Sequence, residues 1–227
     1  MRRASASVST ALALGLLLTA CGSQDEEEPP RVTAAQQCDG TLSPAAAAAL
    51  ESVLGTKRFA GAGSGGLGRT VNVLIEDQAR EHRPPGHPAM CEVDAAASPK
   101  NEVRINFTLH DRGALYDDGT RWWAFGRSLY AMGREASADN KSASLFVTCV
   151  SPRLKGSDEE PTPIGATLGF DKSLKGAYPA NTPATREAYL TVLHSTMLAV
   201  VKGLGCENDA GLGEKPVFDT KKWRGEP

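Results

Sequence analysis

The sequence predicts an α+β fold, an antiparallel β-sheet covered by an N-terminal helix and a longer C-terminal helix and held by two disulfides. Three observations lead there. A capped, alanine-rich helix opens the folded part, runs of alternating apolar and polar residues follow, and the longest helical stripe comes near the end. Four cysteines, Cys38, Cys91, Cys149 and Cys206, are distributed among these elements.

Residues 1–20 read as a bacterial lipoprotein signal peptide. Met1-Arg2-Arg3 gives a positive start, Ala11 to Leu18 an apolar run, and Leu18-Thr19-Ala20-Cys21 a small-residue cleavage site with cysteine just beyond it. The expectation is a lipidated (palmitate-bearing) Cys21 that anchors the protein to the cell membrane from outside the cytoplasm; two or more fatty chains make such an anchor stable. Residues 21–36 read as the lipidated cysteine and a disordered tether, because Asp25-Glu26-Glu27-Glu28-Pro29-Pro30 combines like charges with prolines. Residues 37–227 are read as a single domain.

Ser43 is a helix N-cap, Pro44 occupies the first helical position, Ala45 to Ala49 propagate the helix, and Gly55 stops it after Leu54. The run Gly61-Ala62-Gly63-Ser64-Gly65-Gly66-Leu67-Gly68 contains G-x-G-x-x-G, but it reads as a loop. A phosphate cradle needs that motif between a strand and a helix, whereas here a helix precedes it and the alternating Val71, Val73 and Ile75 predict a strand over Val71–Glu76. Met90–Val93 reads as a short strand and Val103–His110 as a strand with one covered face. In Ala114–Phe125 the Asp118-Gly119 turn flanked by aromatics predicts a hairpin. Leu145–Val150 is apolar on both faces and reads as a central strand, Arg153–Pro163 as a charged surface loop. Thr182 and Pro183 then start the last helix. Its apolar stripe runs Leu190, Leu193, Met197, Val200, Val201 and Leu204, and Gly203 and Gly205 end it before Cys206.

Charge excludes one partner class. Without Arg2 and Arg3 the 25 basic residues become 23 against 27 acidic ones, so nothing points to nucleic acid. The four cysteines beyond Cys21 form an even set, as an oxidising compartment favours, and three pairings are possible. The preferred one is Cys38 with Cys91 and Cys149 with Cys206. It would tie the chain's entry to an early strand and a late strand to the end of the last helix. Spacings of 53, 58 and 57 residues contain no C-x2-C pair, so neither a zinc site nor any other metal or cofactor is expected.

The candidate ligand or partner residues fall in two groups. Arg104, Asn106, Thr108 and His110 share one face of a strand, and Asn72 and Glu76 would extend that row if their strand is adjacent. A polar row on a sheet is either its solvent face or the floor of a binding site. Tyr116, Arg121, Trp122 and Trp123 form the second group. Adjacent tryptophans on a strand point to opposite faces, so one is free to stack on a sugar or a partner's side chain. His82 and His87 are separated by two prolines and a glycine, which rules out the helical H-x-x-x-H clamp. Ser195 beside His194 lacks the strand that a nucleophile elbow needs. No catalytic residue is assigned.

Cys38-Asp39-Gly40 leading into the alanine-rich helix, Phe146-Val147-Thr148-Cys149, and Leu193-His194-Ser195 through Gly203-Leu204-Gly205-Cys206-Glu207-Asn208 to Leu212 resemble an uncharacterised group of secreted actinobacterial lipoproteins. That group is similar in outline to small lipoprotein domains with a PsbP-like α/β/α sandwich. The resemblance implies a location and a fold, and it brings no activity and no functional residues. The function expected from sequence is therefore non-enzymatic, an envelope lipoprotein that binds a protein partner or a small envelope ligand. The alternatives are a secreted hydrolase of cell-wall or extracellular substrates with a nonlocal site around His110 or His194, and a structural or accessory subunit of an envelope complex.

Overall fold

A computed structural model describes residues 31–61, 65–80, 87–95, 98–110, 126–170 and 178–222. Residues 1–20 of the expected signal peptide, Cys21, His82 and the whole Ala114–Phe125 segment with Tyr116, Arg121, Trp122 and Trp123 lie outside the described residues.

Among the described residues, seven strands form one antiparallel sheet: β1 (Ala89–Ala95), β2 (Ser98–Leu109), β3 (Ser128–Tyr130), β4 (Glu135–Ala138), β5 (Ser142–Cys149), β6 (Thr162–Phe170) and β7 (Thr220–Lys221). Their order across the sheet is β1-β2-β6-β5-β4-β3-β7, which puts β5 in the middle, as its two apolar faces predicted. Among the described residues, three α-helices accompany the sheet: α1 (Pro44–Leu54), α2 (Leu67–Ala79) and α3 (Pro183–Leu204). α3 lies against β4, β5 and β6, α2 against β1 and β2, and α1 packs on α3. The α+β class and both disulfides, Cys38–Cys91 and Cys149–Cys206, are as the sequence predicts.

The outer helices begin and end for local reasons. Ser43 Oγ accepts from the Ala46 N–H, Thr182 Oγ1 accepts from the Thr185 N–H, and both helices carry Pro in the first turn and a left-handed glycine, Gly55 or Gly205, at the far end. Gly203 does not terminate α3; it sits inside it. A Cβ there would come within 2.9 Å of Val71 Cγ2, so the missing side chain is what lets α2 cross close to α3.

Val71–Glu76 is a correction. It belongs to α2, where Leu67, Val71, Leu74 and Ile75 repeat at helical spacing and Val71 and Leu74 are buried. Five residues of alternation in a β-branched run fit both periods, and packing against β2 and α3 decided for the helix. The folded body also begins before position 37, within the segment expected to be a tether. Val32 pairs with Phe59, and Ala34 is fully buried, so residues 32–36 are part of the folded body. The Arg153–Pro163 loop is shorter too. Leu154 and Ser157 are buried within it, and Thr162 and Pro163 already belong to β6. Pro163 is tolerated at the second residue of that strand.

The apolar row Phe107, Ala166, Leu145, Ala136 and Tyr130 runs straight across five strands. All five side chains are buried, and Tyr130 OH accepts from Arg186 Nε of α3 at 3.1 Å. This is the helix-covered face. The residues between them in sequence point to the opposite face, and the candidate site lies there.

Candidate ligand-binding face and its surroundings

On the face turned away from the helices, Asn106, Thr167, Ser144 and Ser137 stand directly opposite one another on β2, β6, β5 and β4. Strand neighbours are about 4.8 Å apart, so the row spans roughly 14 Å. Its two ends differ. Asn106 is half-buried and Thr167 exposed, whereas Ser144 and Ser137 are buried at 5% and 1%. Arg127 joins the buried end, donating to Ser144 Oγ and to the Ser137 carbonyl, each at 3.1 Å. Burial pushes its guanidinium pKa down, and Asp139 opposes that shift. The Ser137 hydroxyl has no hydrogen-bond partner, which costs about 1–3 kcal/mol for a buried group.

Arg104 sits at the open end with both acidic neighbours engaged, its Nε 2.8 Å from Glu92 Oε1 and a terminal nitrogen 3.1 Å from Glu102 Oε1. The open end therefore presents one guanidinium between two carboxylates, a trio with a formal charge of −1. Thr108 is buried, and its hydroxyl donates to the Leu109 carbonyl. His110 lies over Gly165. A Cβ at Gly165 would collide with the imidazole, whose edge meets Phe146 at a centroid distance of 5.0 Å. The structure thus brings Arg104, Asn106, Thr108 and His110 onto one face as predicted. Asn72 and Glu76 do not join them, because both are on α2.

The glycine-rich run has a different role from the one its pattern allows. Contrary to the expected order, it leads into a helix. Gly66 is the N-cap residue of α2, and the first helical N–H, that of Leu67, already donates to Asp39 Oδ2 at 2.7 Å. The protein's own carboxylate occupies the anion position at that helix end. Gly65 passes so close to β1 that a Cβ would stand 2.7 Å from the Ala89 and Met90 carbonyl oxygens, and a Cβ on Gly66 would strike the Asp39 carboxylate. Both glycines serve close backbone approach.

The two histidines of the hydrolase alternative are in unlike places. His194 is 3% exposed on α3, and burial lowers its pKa. Ser195 is occupied twice. Its Oγ accepts from the Ser43 N–H at 2.8 Å and donates to the Thr41 carbonyl at 2.9 Å, fixing the start of α1 to α3. Thr196 donates to carbonyls of its own helix. His87 is exposed. Among the described residues no group of three His, Cys, Asp or Glu is placed to hold a metal, and no helix is long and apolar enough to cross a membrane.

Sequence reading missed Arg127, Ser137 and Ser144. Arg127 has no local pattern, but the two serines alternate with Ala136, Ala138, Ala143 and Leu145 around Asp139-Asn140-Lys141, which is a legible hairpin. Asp139 Oδ1 accepts from the Lys141 and Ser142 N–H groups in that turn. No protein-family model matches the chain, and neither a curated protein nor a solved structure does.

Proposed function

We propose that this chain is a non-enzymatic envelope lipoprotein, anchored outside the cytoplasm through a lipidated Cys21, whose sheet binds a protein partner or small envelope ligand on its polar face. The observation that carries the location is cysteine use. Cys38, Cys91, Cys149 and Cys206 are all consumed in two disulfides, which leaves Cys21 of the five cysteines, at the position that the signal pattern assigns to lipid. The resemblance to secreted actinobacterial lipoproteins agrees with this reading. For the binding surface, the support is the aligned row of Asn106 and Thr167 with Arg104 beside it, exposed or half-buried on a rigid sheet whose other face is packed.

The test has two steps. Expressed in a bacterium that processes lipoproteins, the chain is expected in the membrane fraction with the mass of a diacylated cysteine, and Cys21→Ala is expected to abolish both. A soluble, unlipidated wild-type product would sink the anchor. Thermal unfolding of the purified protein against peptidoglycan fragments, glycans and lipids then addresses the ligand. A ligand at 100 times its Kd adds about 2.7 kcal/mol, and a shift that survives Arg104→Ala, Asn106→Ala and Thr167→Ala together would place binding elsewhere. The hydrolase alternative gains nothing from His194, which is buried on α3, or from Ser195, whose hydroxyl is committed to Ser43 and Thr41.

A further inference from the structure

Two glycines interrupt the polar face of β6, one on each side of Thr167, and they are used differently. Gly165 makes room for His110, whose ring occupies the space where a Cβ would stand. Gly169 makes room for nothing among the described residues, since a Cβ there would meet no atom within 4 Å. A glycine inside a strand gives up side-chain packing and costs backbone entropy, and it marks a bulge, a bend or a close approach. No bulge is present at this one. Gly169 pairs in unbroken register with Arg104 of β2 on one side and Ser142 of β5 on the other. The fold therefore leaves an open notch above it.

The rim of the notch has hydrogen-bonding capacity to spare. Thr167 is exposed, Asn106 and Ser142 are half-buried, and among the described residues none of these three side chains has a hydrogen-bond partner. Arg104 is committed, held by Glu92 and Glu102 in a trio with a formal charge of −1. Arg104 and Ser142 stand two strand spacings apart, roughly 10 Å, and Thr167 lies two residues along the strand from Gly169, roughly 7 Å. Those are the dimensions of a single pyranose ring with its hydroxyls.

We infer that the notch over Gly169 receives one ring of a neutral glycan, whose hydroxyls exchange hydrogen bonds with Asn106, Thr167 and Ser142. The assignment rests on the polar face being the binding surface, and it narrows the ligand class. An anion would enter beside two carboxylates whose one guanidinium is already paired. A metal ion would lack ligands, because no group of three His, Cys, Asp or Glu is placed for one among the described residues. An apolar chain would strip water from three polar side chains and give them nothing in return. An extended peptide recognises a strand edge through its backbone, whereas the notch is on a face. A saccharide hydroxyl both donates and accepts, as the Asn106 amide and the two hydroxyls of the rim require. The C–H face of the ring then lies on the bare backbone of Gly169.

Amide NMR titration of the purified protein tests the notch, with chitotetraose, cellotetraose and maltotetraose as neutral probes and an oligogalacturonate as the anionic control. At least one neutral probe is expected to give saturable shifts centred on Arg104, Asn106, Ser142, Thr167 and Gly169. Gly169→Val fills the notch and adds strand propensity, so it is expected to keep the Tm and to weaken that binding at least about tenfold. Should it not fold, Thr167→Val, which removes one exposed hydroxyl at constant shape, is expected to weaken binding about fivefold. Silence from all the neutral probes, a stronger response to the oligogalacturonate, or unchanged binding in the variant would each overturn the glycan assignment. The two levels fail separately. Polar-face shifts from the oligogalacturonate alone would leave the face as the binding surface and remove the neutral glycan, whereas saturable sugar shifts away from that face would overturn both.

Discussion

The two disulfides close loops of nearly the same length, 53 and 57 residues, and each lies beside a left-handed turn, yet they hold different kinds of structure. Cys38–Cys91 joins the turn Cys38–Gly40 (φ 52°, 57° and 68°) to β1 at the sheet's edge. Around it is a shallow cleft lined by Gln37, Asp39, Gly66, Met90 and Glu92. Cys149–Cys206 joins the end of the central strand to the end of the core helix. There Ser151 Oγ donates to the Leu204 carbonyl at 2.6 Å, Ser157 and Ser151 exchange hydrogen bonds, and Glu207 N–H donates to the Val150 carbonyl. Chain entropy assigns both bonds about 4 kcal/mol. Position in the fold, and not loop length, is what separates them.

Four experiments sharpen that contrast, the largest effect first. Cys149→Ala with Cys206→Ala is expected to cost about 4 kcal/mol in denaturant unfolding and to lower exchange protection throughout β5 and α3. Cys38→Ala with Cys91→Ala should lose less than that, since freeing Cys38 and Asp39 from positive φ returns part of the loss, and its exchange changes should be confined to the N-terminal turns, α2 and β1. Equal costs with equally widespread exchange changes for both pairs would remove the distinction. Gly66→Ala, at φ 109° and against the Asp39 carboxylate, is expected to cost about 1–3 kcal/mol in the same assay. Asp39→Asn keeps an acceptor for the Leu67 N–H and loses only its charge against the helix end. It should cost about 0.3–1 kcal/mol, and less in high salt.

How far the sequence was legible depended on how local the deciding interactions were. α1 could be read to the residue, and α3 at its start, because Ser43, Pro44, Gly55, Thr182 and Pro183 act within one turn of themselves. The preferred pairing of the cysteines, one of three possible, rested on which elements each bond would tie together, and it is the one present. α2 was read as a strand because Val71, Val73 and Ile75 favour one locally, and what overruled them, the approach of Gly203 and the Asp39 carboxylate at Leu67, comes from residues distant in sequence. β6 escaped notice although Ile164, Ala166, Leu168 and Phe170 alternate, since Gly165 and Gly169 weaken strand propensity. Gly165 is there because His110 lies over it. At the polar face, the row containing Arg104 and Asn106 was visible along β2, but its continuation through Thr167, Ser144 and Ser137 depends on strand register, which no single segment encodes.

One border of the sheet is finished by the segment between α1 and α2, the other by the end of the described chain. On one side Val32 pairs with Phe59, Phe59 with Ala95, and the Ala60 and Gly66 N–H groups donate to the Asp94 and Met90 carbonyls of β1; on the other, Thr220 and Lys221 line β3. An unfinished strand border is a template for intermolecular β-pairing, and the lysines at 221 and 222 repel that pairing where β7 itself is outermost. A chain clipped ahead of β7 would therefore be expected to associate through the β3 border it had uncovered well before its core lost stability. Protease damage to this protein would then show first as aggregation and only later as unfolding.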